Sequence, residues 1–193
     1  MTGATSSAKG ILADFLTPIL PKIDRKSAIE GLIDLHLLIS GNAASVDLNI
    51  GGGQYGHLAL TMTAEEYRAQ TGFAFVPPHN PCNYPQRMGN TQEQALGTEK
   101  FRQNQVLFRK YTAVYRDLKK QIVTTVEPIF LYPLVNQLTG FGQVSAITML
   151  KHLFSSYRLI KKIDLKENSF KMMGPYNTAE PLDRIIEQLE KGR

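Results

Sequence analysis

Cysteine is almost missing from this chain, with Cys82 standing alone. Its scarcity excludes a disulfide framework and any multi-cysteine zinc site, and it fits a reducing compartment. A run of roughly eighteen apolar residues is also missing, as is a basic N-terminal region followed by an apolar stretch and a cleavage site. The chain therefore reads as neither membrane-spanning nor secreted, and as cytoplasmic. Catalytic patterns are lacking as well: there is no Gly-x-Ser-x-Gly, no His-Glu-x-x-His, no Asp-rich metal run, and no His near a carboxylate and a nucleophile in a recognisable pattern. We expect no enzyme, no cofactor and no small-molecule substrate. His36, His57, His79 and His152 are scattered over different segments. His79 and Cys82 are close in sequence but make only half a metal site, so no bound metal is expected.

What is present suits a helical protein with one sizeable core or two small ones: 193 residues, 42% hydrophobic and 20% charged. The net charge of +5 permits an acidic partner. Residues 51–85 are the most unusual stretch. Gly51-Gly52-Gly53 must lie in a loop or where backbone passes close to something else. Gly51, Gly53 and Gly56 spell G-x-G-x-x-G, but no long helix follows, no acidic residue stands about twenty positions on, and no Lys-Ser or Lys-Thr completes a P-loop. A structural loop is expected. The run from His57 to Met62 alternates like a short strand, Thr63 reads as the N-cap of an acidic helical turn, and Gly72 stops that turn. Four prolines and alternating aromatics over 73–85 predict an extended strap.

Helical periodicity covers most of the rest. Residues 1–10 are small and polar and are expected to be loose. Ile11, Leu12, Phe15, Leu16, Ile19 and Leu20 predict a short helix broken by Pro18 and Pro21. Ser27 and Glu30 form a capping-box pattern for a second helix, with Ile29, Leu32, Ile33 and Leu37 on one face, His36 at its boundary, and Gly41-Asn42 as its close. A long helix is predicted from Thr91 to Val126, opened by a Thr91-x-x-Gln94 capping box, with Phe101, Phe108, Tyr115 and Ile122 recurring every seven residues and directed at Leu150, Leu153 and Phe154, and with Leu107, Tyr111, Val114 and Leu118 widening that stripe to a core-facing band. Large-to-small substitution at Phe108 is accordingly expected to cost about 3 to 5 kcal/mol. Pro128 ends that helix and Pro133 interrupts the next segment. Thr139-Gly140-Phe141-Gly142 is a turn, and residues 144–157 form a core helix with His152 beside the core. Further short helices are expected from Lys161 and from Pro181.

On the opposite side of the long helix, Arg102, Arg109, Arg116 and Lys120 fall within an arc of about 40° at 3.6 residues per turn. Such a strip is either a solvated face or a phosphate-contacting surface. These four are the candidate nucleic-acid-binding residues.

Several ordered pieces of the sequence carry a resemblance. They are Asn42-Ala43-Ala44-Ser45-Val46, the stretch from Gly51 through Gln54-Tyr55-Gly56-His57-Leu58, Glu66-Tyr67, Phe75-Val76-Pro77-Pro78, and Pro81, followed by the basic long helix. Leu138-Thr139-Gly140, Met149-Leu150-x-His152-Leu153-Phe154-x-x-Tyr157, Ile163-x-x-Leu165 and Pro181-Leu182-Asp183 continue the series. In that order, over residues 40–190, the chain resembles the Gag-like region of copia-type LTR retrotransposons, especially the branch found in algae, oomycetes and other protists. It departs from that pattern at Pro133, and in lacking a Cys-x-x-Cys knuckle and any protease or polymerase motif. The resemblance implies a mainly α fold, a capsid-like bundle of amphipathic helices with a Gly/Pro-rich irregular strap. With the composition of the N-terminus, the expected division is a flexible 1–10, an N-terminal helical part with the strap over 11–86, and a capsid-like core over 87–193 truncated at its C-terminus. It also implies self-association into particles and weak association with the element's own RNA, without a membrane partner. A stand-alone nucleic-acid-binding or adaptor module, a host-retained remnant, is the other reading the residues allow.

Overall fold

The long apolar-and-basic pattern after residue 90 forms one helix in the computed structural model, which describes residues 14–23, 28–48, 53–81 and 91–172. The fold is mainly α. Among the described residues its helices are α1 (Ala28–Ser45), α2 (Ala64–Thr71), α3 (Thr91–Thr125), α4 (Pro128–Leu131) and α5 (Ala146–Met172), with short 3-10 turns at Gly53–Tyr55, Leu58–Leu60 and Tyr132–Leu134. Among the described residues, β pairing is limited to two isolated bridges, Ile23 with Val126 and Asn136 with Gly140.

Among the described residues an apolar core joins the N-terminal part to the rest. Helix α1 packs on α3 and α5, and α4 packs on α5. Leu32, Leu35, Ile39 and Ala43 of α1 meet Val114, Leu118 and Ile122 of α3 and Met149, Leu150, Leu153 and Tyr157 of α5. Apart from the adjacent Met149 and Leu150, each set follows steps of three and four residues, the condition for one face of a helix.

The buried face of α1 differs from the expected one: Leu32 is buried, but Ile33 and Leu37 are largely exposed. The cause is at the other end of the helix. Gly41-Asn42 does not close it; it continues to Ser45. Asn42 is fully buried, and its side chain does the work of a backbone partner for Thr17. Its Oδ1 accepts from the Thr17 amide at 2.8 Å, and its Nδ2 donates to the Thr17 carbonyl at 2.8 Å and to Gln121 Oε1 at 3.1 Å. Gln121 Nε2 in turn donates to the Thr17 and Pro18 carbonyls at 3.1 and 3.0 Å. A buried polar side chain with every group satisfied is tolerated inside a helix, and here it ties α1, α3 and the N-terminal segment together.

Of the expected N-terminal helix, Asp14 is helical and residues 11–13 lie outside the described residues. With Pro18 lacking an amide hydrogen, residues 15–20 run as bends that still bury Phe15 and Leu20. The Ile23 amide donates to the Thr125 carbonyl at 2.9 Å, and Lys22 Nζ donates to the Thr124 carbonyl. Both bonds satisfy carbonyls that the end of α3 leaves without helical partners.

The glycine-rich stretch has a structural role at its last member. Gly56 has φ 50°, and a Cβ there would stand 2.5 Å from the Ala44 carbonyl oxygen and 2.6 Å from that of Val46. Only glycine permits this approach to the end of α1. The residues after Gly56 form a 3-10 turn and not a strand, because the His57 amide bonds the Ala43 carbonyl at 2.8 Å and the Leu60 amide folds back onto the His57 carbonyl at 2.9 Å. Helix α2 has the expected ends: Thr63 and Glu66 exchange capping-box bonds, and Gly72 closes it in the left-handed region at φ 77°. The strap is irregular over its described residues, 73–81. Phe75 lies between Tyr67 and Tyr111, at ring-centre distances of 5.8 and 6.2 Å.

Two further expectations are corrected. Phe101, Phe108 and Tyr115 of the expected stripe are only half-buried, whereas Val114, Leu118 and Ile122 of the same expected band are the central core residues of α3. The N-terminal half of α3 runs beyond the three-helix contact, so a seven-residue repeat there has less to pack against. No separate helix begins at Lys161; α5 runs unbroken to Met172, and neither Gly nor Pro occurs within it. Residues 1–13, the capping position Ser27, Cys82 and the segment from Pro181 lie outside the described residues.

His57 is buried and places a testable pH dependence at the centre of the molecule. Its Nδ1 donates to the Val46 carbonyl at 2.9 Å, its ring stacks on Tyr111, and its Nε2 is buried without a partner. Burial, helped by the charge of Lys110, holds the imidazole pKa below its ordinary value; the Val46 bond opposes this. The unfolded chain therefore binds the proton more readily, so stability is full above pH ~6.5 and is lost as pH falls through the folded value, by at most ~1.4 kcal/mol per pH unit. Burial of Asp117 raises its pKa and acts with the opposite sign. The difference between parent and His57→Gln isolates the histidine. Urea melts at pH 7.5 and 5.5 are expected to show a smaller loss for His57→Gln, and equal losses would contradict this assignment.

Candidate nucleic-acid interface

Burying one face of α3 leaves the opposite face to solvent. Arg102, Arg109, Arg116 and Lys120 are all exposed. They span roughly 27 Å along the helix axis at 1.5 Å per residue. The helix therefore brings all four predicted cations into one strip, set away from Val114, Leu118 and Ile122. A rigid helical support fixes their spacing, which a polyanion with regularly placed charges can match.

One acidic side chain tempers the strip. Asp117 follows Arg116 in sequence but points inward: it is buried, and its Oδ2 has no hydrogen-bond partner. Burial raises its pKa, while the nearby charges of Lys120 and Arg116 act to lower it. These two cations stabilise a carboxylate that would otherwise be costly in its position.

The C-terminal half of the strip borders a groove of about 470 Å³. Thr112, Tyr115, Arg116, Lys119, Lys120 and Val123 of α3 line it, with Phe141 and Gly142 opposite. The far wall is a built turn. Asn136 Oδ1 accepts from the Leu138 and Thr139 amides, Asn136 and Gly140 exchange backbone bonds at 3.0 and 2.8 Å, and Gly140 takes φ 57°. Lys119 fastens the turn to α3, with Nζ donating to the Phe141 and Gly142 carbonyls at 2.9 and 3.0 Å and standing 4.8 Å from the Tyr115 ring centre. Burial pushes the Lys119 pKa down. The Tyr115 hydroxyl adds a long bond to the Val144 carbonyl at 3.4 Å.

Sequence reasoning found the strip but missed this groove. Lys119 beside Lys120, and an aromatic residue between the glycines of the turn, were its visible traces. Neither reveals that residues 139–142 fold back onto α3.

The other polar residues singled out in the sequence do not converge. His36 donates from Nε2 to the Thr61 carbonyl at 3.1 Å, and His152 donates from Nε2 to the Phe130 carbonyl at 2.9 Å. His79 lies exposed in the strap and lines a shallow pocket with Asn104 and Leu107 of α3. Among the described residues, no three His, Cys, Asp or Glu side chains are grouped to hold a metal ion, and no helix is long and apolar enough to cross a membrane. No family model, curated protein or solved structure matches the chain.

Proposed function

We propose that this chain is a Gag-like structural protein of a copia-type retrotransposon. It acts in the cytoplasm by self-association into particles, helping to package the element's RNA, and it works through surfaces and not through catalysis. The observation that carries the reading is the exposed basic strip of α3 set opposite its buried apolar face. The ordered motifs over 40–190 supply the family. Large apolar side chains at Ile129, Tyr132 and Leu138 are mostly exposed and offer material for contacts between copies.

Light scattering over a concentration series, with and without single-stranded RNA, tests this function. The expected result is a mass that grows with protein concentration and grows further with RNA. A mass that stays monomeric throughout, with RNA binding saturating at one salt-sensitive complex, would make the chain a stand-alone nucleic-acid-binding or adaptor module instead.

A further inference from the structure

We infer that the groove between α3 and the turn at 139–142 is a binding site for a nucleotide unit of single-stranded RNA, held by its phosphates and by one stacked base without regard to sequence. This deepens, and rests on, the RNA-binding part of the proposed function.

Charge and shape favour this ligand together. The groove is open to solvent, and its volume of about 470 Å³ suits a unit of a longer strand that lies partly in solvent. Exposed Arg116 and Lys120 stand on its rim, continuing the line of Arg102 and Arg109, so a strand following the strip is led into it. Phe141 forms the opposite wall; it packs in part against the core and is half-buried, and the part of its ring that lines the groove is the aromatic surface offered to a base. A duplex keeps its bases stacked on one another and cannot offer a base face to that ring, whereas a single strand can.

The polar groups around the groove also argue against a base-edge code. The Phe141 and Gly142 carbonyls accept from Lys119, the Tyr115 hydroxyl donates to Val144, and the Thr112 hydroxyl donates to the Phe108 carbonyl at 2.8 Å. The charges left facing outward are cationic, which suits phosphate and not the mixed donors and acceptors of a base edge. An acidic peptide would satisfy the cations but would make no use of the aromatic wall.

The test is fluorescence anisotropy with a labelled single-stranded oligouridylate, a duplex RNA of equal length, and an oligoglutamate competitor. Phe141→Leu keeps an apolar side chain in the turn and removes the ring. It is expected to weaken single-strand binding roughly tenfold, to leave the salt slope unchanged, and to leave duplex binding unchanged. Phe141→Trp keeps a stacking face and is expected to retain parental affinity, which separates stacking from any disturbance of the turn. Arg116→Gln with Lys120→Gln is expected to reduce the salt slope by about 1.4, near 0.7 for each phosphate no longer neutralised. Equal single-strand affinity for Phe141→Leu and parent, equal weakening by Phe141→Leu and Phe141→Trp, or oligoglutamate competing as well as RNA at equal charge would each overturn the groove site. If the parent binds RNA and Phe141→Leu is silent, the groove assignment fails while the strip stands. If the parent binds no RNA at all, both fail.

Discussion

Leu118→Ala is expected to lower the unfolding free energy by about 2 to 5 kcal/mol, the range for truncating a fully buried leucine and leaving a cavity. Leu118 has no exposed surface and lies on the face of α3 that meets α1 and α5. Phe108, ten residues earlier, is the larger side chain, and the seven-residue repeat would give it the larger loss. It is only half-buried and stands outside the central core, so Phe108→Ala should cost under ~1.5 kcal/mol, about half of what full burial of such a side chain contributes. Urea melts of the two variants at one pH decide the order. A greater loss at Phe108 than at Leu118 would mean that the apolar repeat, and not the three-helix contact, sets the core.

These two residues illustrate how far the sequence could be read. The end of α3 was legible because a breaking residue marks it: the observed helix ends at Thr125, and Pro128 opens α4. The ends of α2 were legible for the same local reason. The direction of the apolar face of α1 was not, because it depends on what lies opposite. In α1, Asn42 looks like a helix stop, and it is helical because Thr17 and Gln121 use its amide. Ile33 and Leu37 look like core and lie outside it, since the face is chosen by Ile39 and Ala43 further along. The strip on α3 could be read because it needs only the period of one helix. The groove could not, since Phe141 reaches α3 through bonds between residues 22 and 23 positions apart.

The four cations carry the functional claim, and reversing them has the largest expected effect on binding. Arg102, Arg109, Arg116 and Lys120 are all exposed, so changing them together to Glu should leave the fold intact. Asp117 is the one place where the change reaches inward, since Arg116 and Lys120 stabilise its carboxylate. The matching four-Gln variant, which adds no negative charge beside Asp117, is therefore the companion for checking the fold by thermal melt. If each cation neutralises one phosphate, the parent's log affinity for single-stranded RNA should fall against log salt with a slope of about −3, at roughly 0.7 per phosphate. Binding through one such strip should be weak and lost at moderate salt, because exposed charges are screened within about 8 to 10 Å there.

The measurement that bears most directly on the account is the affinity of parent and four-Glu variant for single-stranded RNA over a salt series. The account predicts a steep slope for the parent, and for the variant a binding too weak to titrate or a slope near zero. Equal affinity and equal slope for the two proteins would contradict it, leaving the strip as a solvated helix face.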